Sequence, residues 1–144
     1  MENKKICSEC RGDCCKRMPG ATVPDDFNND KAKIILALKT GNFAIDYWDG
    51  HPLEKENGNF SAYYIRPRTK KTLSLFDPSW GGECIFLSKN GCKLKHDKRP
   101  KECRDLMPSK KRPCNSIPGG CDKKQAAILW LPFHDFLVNI KNKL

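Results

Sequence analysis

The sequence predicts an α+β fold: one small metal-stapled domain over residues 1–144, of helices plus a short β-hairpin, with N- and C-terminal cysteine segments converging on a metal site. Three observations carry this reading. Two segments space their apolar residues as helices do, two others have strand composition around a turn, and nine cysteines gather in two groups of a 144-residue chain. That length suits one domain with a core of its own, and a thin one, since 38% of the residues are hydrophobic against 31% charged.

In chain order, the first group is Cys7, Cys10, Cys14 and Cys15, spaced C-x2-C-x3-C-C. A C-x2-C step lets two thiolates reach one ion from a tight turn, and Gly12 lets the backbone fold back to bring in Cys14 or Cys15. Adjacent cysteines do not easily aim both sulfurs at one tetrahedral ion. The arrangement expected is therefore that the two ends of the chain meet, with the middle as a cysteine-free insert.

Helix-start chemistry in Thr22–Lys31, followed by Ile34, Ile35 and Leu38 and then by Gly41, predicts a helix from about Asp30 to Thr40. Phe43, Ile45, Tyr47 and Trp48 predict a short second helix or strand packed on it. The polar stretch Asp49–Asn59, with Gly50, Pro52 and Gly58, reads as a loop. Ala62–Pro67 and Thr72–Phe76 read as two strands of a hairpin around the basic turn Arg66–Lys71, and Asp77-Pro-Ser-Trp-Gly-Gly then breaks the chain.

The second group is Cys84, Cys92, Cys103, Cys114 and Cys121. Asn90-Gly91 is a hairpin signal that places Cys84 and Cys92 near each other, at the open end or across the strands. Arg99-Pro100 governs the approach to Cys103, and Pro100 suits the first turn of a short helix carrying it. Toward the C-terminus, Asp122 with Gln125 resembles a capping box. Leu129, Phe133, Phe136, Leu137, Ile140 and Leu144 keep one apolar face over a helix of about twenty residues, kinked at Pro132.

The longest apolar run, Ala126–Phe133, is far short of the roughly 20 residues that span a bilayer, and Met1-Glu-Asn-Lys-Lys leads into no signal-like stretch. No membrane partner is expected, and the location expected is the reducing cytoplasm, where nine thiols serve a metal better than a disulfide scaffold. Thiolate is a soft donor, so zinc and an iron-sulfur cluster are the candidate occupants, with copper(I) behind them. Magnesium and calcium, which prefer oxygen, are excluded as occupants.

Other signals are weaker. His96 lies between two cysteines but in a lysine-rich run; His51 sits in the polar loop and His134 on the C-terminal helix. Cys114 and Cys121, in Pro- and Gly-rich surroundings, read equally as ligands or as ordinary thiols. The net charge is +10, and Lys93–Arg112 holds nine basic and three acidic residues. That balance suits neutralising phosphates or, at least as well, offsetting metal-bound thiolates. Tyr63 and Tyr64 beside Arg66 and Arg68 suit base stacking or half-buried strand positions. Asp46, Asp49 and Glu54 have no base at a defined spacing, and no nucleophile elbow or phosphate-binding glycine loop is present.

The combination of C-x2-C-x3-C-C with Cys84-Ile-Phe-Leu, Gly91-Cys92, Arg99-Pro-x2-Cys103-Arg and a following Pro108 resembles the YkgJ-type cysteine-cluster family, described as a zinc- or iron-chelating domain. The resemblance covers most of the chain in outline. It implies the ligand set Cys7, Cys10, Cys14, Cys15, Cys84, Cys92 and Cys103. Flagellin lysine N-methylases share this type of cluster, which implies an iron-sulfur occupant and a methyl-transfer context as an alternative. This chain departs from those longer enzymes in being little more than the cluster itself.

The leading expectation is a metal-binding protein that holds zinc or an iron-sulfur cluster through thiolates from both ends, with the metal required for the fold. Zinc is preferred because many thiols and few open positions suit a closed site. One alternative is an iron-sulfur enzyme of redox or protein-lysine methyl-transfer chemistry, or its accessory, with a protein as partner or substrate. The second alternative is a nucleic-acid-binding zinc module on the Lys93–Arg112 stripe.

Overall fold

The computed structural model describes residues 20–53, 60–71, 74, 76, 82–88, 91–104, 106–107, 115–116 and 123–143. Cys7, Cys10, Cys14, Cys15, Cys114 and Cys121 lie outside the described residues, as do Asp122 of the expected capping box and most of the expected second strand, 72–76.

Residues 20–23 are extended and buried. Thr22 donates from its backbone N–H and from its hydroxyl to the carbonyl of Ile65, at 2.9 and 2.6 Å. A 3₁₀ turn follows at Pro24–Phe27, where Pro24 has no N–H to lose and the Asp26 carboxylate accepts from Val23 N at 3.0 Å. Helix α1, Lys31–Lys39, starts as its sequence predicts: Asp30 caps it by accepting from Ala32 N at 2.9 Å. Its buried residues are Ile34 and Leu38, one turn apart, and the chain leaves through Gly41 at φ +81°, a conformation that favours glycine.

The segment after α1 is a strand. β1, Phe43–Asp49, pairs antiparallel with β2, Ser61–Pro67, in a register that runs from Phe43 opposite Pro67 to Asp49 opposite Ser61. This corrects the expected hairpin. Residues 62–67 pair with the preceding strand across the 50–60 connection, and Phe76 instead makes an isolated parallel bridge to Ile45. The pairing sets Ile45 opposite Ile65, both fully buried, which a hairpin turning at 66–71 would not do.

Two shorter hairpins follow, β3 (Leu87–Ser88) with β4 (Gly91–Cys92) and, beyond helix α2 (Lys101–Arg104), β5 (Leu106–Met107) with β6 (Asn115–Ser116). The first agrees with the Asn90-Gly91 signal. The C-terminal segment forms α3 (Lys123–Trp130), a 3₁₀ turn Leu131–Phe133 and α4 (His134–Asn142), so the break falls at Pro132 as expected. Both helices pack on β2. The fold is α+β, and no helix among the described residues is long and apolar enough to cross a membrane.

The main core joins Ala21, Val23, Ile34, Leu38, Ile45, Ala62, Tyr64, Ile65, Ala126, Ala127, Trp130 and Leu137. Ile34, Ile45, Ile65 and Leu137 are fully buried, each contributing about 1.5–3 kcal/mol. Inside it lies one ionic group. Arg66, with no exposed surface, donates from Nε to Asp46 Oδ2 at 2.9 Å and from Nη1 to Pro67 O at 2.9 Å, and the Tyr64 hydroxyl donates to the same Asp46 oxygen at 3.1 Å. Asp46 faces Tyr64 in the register and lies diagonal to Arg66, so the pairing itself assembles the group. Burial, and then the Asp46 carboxylate, hold the Tyr64 hydroxyl well above the ordinary tyrosine range.

Candidate metal centre

Of the seven cysteines proposed as ligands, Cys84, Cys92 and Cys103 are described. Cys103 is the third residue of α2, a helix too short to stand by its own hydrogen bonds. Its first two amides are satisfied from the other end of the chain: Lys101 N donates to Asp26 Oδ2 at 3.0 Å, and Glu102 N to Ala21 O at 3.1 Å. The Glu102 carboxylate returns the bond, its Oε1 accepting from Ala21 N at 2.8 Å and from Lys123 Nζ, at the start of α3, at 2.6 Å.

Gly20 completes this contact. It is buried against α2, and a Cβ built there would overlap the Cys103 Sγ and stand 3.2 Å from the Cys103 backbone nitrogen. Gly20, five positions after Cys15 in the sequence, is held directly on the helix that carries Cys103.

Cys84 and Cys92 belong to a second, smaller cluster with Leu87 and Phe86. Cys84 is buried and bridges Thr69, with Ile85 N donating to Arg68 O at 2.8 Å on the same connection. Cys92 stands opposite Leu87 in the β3–β4 hairpin, and Leu87 N donates back to Cys84 O at 2.9 Å. The two cysteines share this cluster, in which Cys92 pairs with Leu87 and Cys84 with Thr69. Phe86 contacts Phe43 at 5.8 Å between ring centroids, and Phe43 contacts Phe27 at the same separation, which ties this cluster to the main core.

Among the described residues, no three His, Cys, Asp or Glu side chains are grouped to hold a metal ion. Two of the histidines are placed elsewhere. The His134 ring stacks between Phe60 and Tyr63, at 4.7 and 5.6 Å, and the His51 ring contacts Phe60 at 4.8 Å while its Nδ1 accepts from Leu53 N. Of the residues weighed for base stacking, Tyr64 and Arg66 are buried, while Tyr63, its ring under Lys141 Nζ, and Arg68 are half-buried. A cleft of about 430 Å³, lined among others by Asp25, Phe27, Phe43, Asp97, Lys98 and Pro100, lies next to the residues that lead into α2.

Gly20, Asp26 and Glu102 were not singled out by sequence reasoning. The one local signal was Glu102 itself, an acidic side chain beside a cysteine in a basic run; its partner lies 81 positions away. No family model, curated protein or solved structure matches the chain.

Proposed function

We propose that the chain is a metal-binding protein whose thiolates from both cysteine groups, Cys7, Cys10, Cys14 and Cys15 with Cys84, Cys92 and Cys103, hold zinc or an iron-sulfur cluster. The contact of Gly20 with the Cys103 thiol carries this reading. Cys15 and Gly20 are five positions apart, a tether of at most about 18 Å, so Cys15 is leashed to the position of Cys103.

The donor set fits such an occupant. Soft thiolates suit zinc and iron-sulfur, and a four-ligand site that uses the described thiols draws its remaining donors from beyond them. Zinc bound there would supply a closed structural site, and an iron-sulfur cluster an electron-transfer site. Exposed Lys93, Lys95 and Lys98 on the segment between Cys92 and Cys103 would offset the charge of metal-bound thiolates.

Anaerobic purification with metal analysis and an absorption spectrum tests the proposal. Zinc without visible absorption, or iron with sulfide and visible absorption, in stoichiometric amount supports it. A folded chain with neither metal overturns it.

A further inference from the structure

Among the described residues, twelve buried side chains from Ala21 to Leu137 make up the main core, and none of them is a cysteine. The described thiols stand at its margin, Cys84 and Cys92 in the satellite cluster and Cys103 on α2. Yet the bonds that fix α2 among the described residues come from groups that are not thiols. Asp26 and Ala21 O take its first two amides, and Glu102 Oε1 ties it to Ala21 N and Lys123 Nζ. Ala21 belongs to the core, and Lys123 opens the helix that carries core residues Ala126, Ala127 and Trp130.

We infer that Glu102 and Gly20 are positioning residues for the Cys103 thiol, which they hold in place on a folded core before any metal arrives. Glu102 sets where the helix sits. Gly20, having no side chain, leaves the sulfur room to lie where a Cβ would otherwise stand. The metal is then loaded onto a formed scaffold and is not what makes the core fold. This rests on the proposed metal binding for the identity of the cargo, while the preformed placement of Cys103 is a property of the metal-free chain.

The test uses the full chain, stripped of metal under anaerobic reducing conditions, as wild type, Gly20→Ala, Glu102→Ala and Glu102→Gln. Three quantities are read: the cooperative thermal transition by circular dichroism, the rate of Cys103 alkylation by a limiting maleimide pulse with peptide mass spectrometry, and zinc affinity by competition with a chromophoric chelator. The metal-free wild type is expected to keep a cooperative transition. Gly20→Ala, which forces the sulfur into another rotamer, is expected to keep that transition while Cys103 alkylation changes several-fold and zinc affinity falls by about 10- to 100-fold, as for loss of an outer-shell partner. Glu102→Ala is expected to act in the same direction, and Glu102→Gln, which keeps an acceptor for Ala21 N, to recover part of the loss.

A metal-free wild type without a cooperative transition overturns the inference. So do Gly20→Ala and Glu102→Ala proteins with wild-type alkylation and zinc affinity. A wild type that binds neither zinc nor iron defeats the proposed function instead, and the thermal and alkylation readings still decide the placement of Cys103.

Discussion

The indole N–H of Trp130 donates to the carbonyl oxygen of Thr22 at 2.7 Å, joining residues 108 positions apart in the chain. Trp130 is fully buried, and Thr22 in turn bonds Ile65 on β2. One hydrogen bond therefore links α3, the entry segment and the sheet. Trp130→Phe removes the donor and leaves a buried carbonyl short of a partner, which costs about 1–3 kcal/mol. Urea denaturation followed by far-ultraviolet circular dichroism should show a lower midpoint with an unchanged slope; an unmoved midpoint would refute the role given to this bond.

The Asp46–Arg66 pair predicts an order of severity. Asp46→Asn keeps the shape but strands the buried Arg66 charge, at a cost of about 3–5 kcal/mol. Tyr64→Phe removes a single hydrogen bond to the same carboxylate, at about 1 kcal/mol. If the two variants unfold at equal denaturant concentration, or in the reverse order, the guanidinium does not depend on Asp46 as described.

Tyr64 also sets a pH response. Its hydroxyl is held protonated in the folded chain, above the ordinary value of 10.0. Above that pH the unfolded chain releases the proton while the folded chain keeps it, so the stabilisation is complete below about pH 10 and is lost as pH rises beyond it. Denaturation midpoints taken from neutral to alkaline pH should fall more steeply for wild type than for Tyr64→Phe. Parallel curves would count against this.

His134 offers a substitution expected to do no harm. Its ring is stacked between Phe60 and Tyr63, and its Nδ1 is buried without a hydrogen-bond partner among the described residues. His134→Phe keeps the stack and removes the orphaned nitrogen, so stability should hold or rise by up to about 1 kcal/mol. A drop in melting temperature for His134→Phe as large as that of His134→Ala would show that the imidazole is needed for something other than stacking.

Cys84 and Cys92 lie outside the main core, and this separates two effects of their loss. Cys84→Ala and Cys92→Ala should each lower the metal recovered per chain while the cooperative core transition remains. Undiminished metal content in both variants would remove these two from the ligand set.

Local chemistry made much of the fold legible. Asp30, the Ile34–Leu38 spacing and Gly41 mark α1 within a dozen residues, and Pro132 marks the break between α3 and α4. Strand partnership was not legible, because the choice between β1 and residues 72–76 as partner for β2 depends on which pairing buries Ile45 against Ile65. Arg66 misled for the same reason: next to Pro67, Lys70 and Lys71 it reads as a turn residue, and only its register position near Asp46 puts its charge inside. At the candidate centre, the family resemblance supplied the candidate thiols. The groups that place Cys103 act across the whole fold, so Gly20 looks like any glycine and Glu102 like any surface acid.

Trp130 and Leu137, two of the residues that close the core, follow every cysteine in the chain, the last of which is Cys121. During synthesis all nine thiols are therefore made before the helices that complete the interior. The cell meets these thiols first as an open ribbon, when the local redox buffer and metal supply act on them unshielded. Chains stalled before Lys123 should accordingly be alkylated at Cys84, which the finished protein buries; protection of Cys84 in the stalled chain would show that its cluster forms without the C-terminal helices.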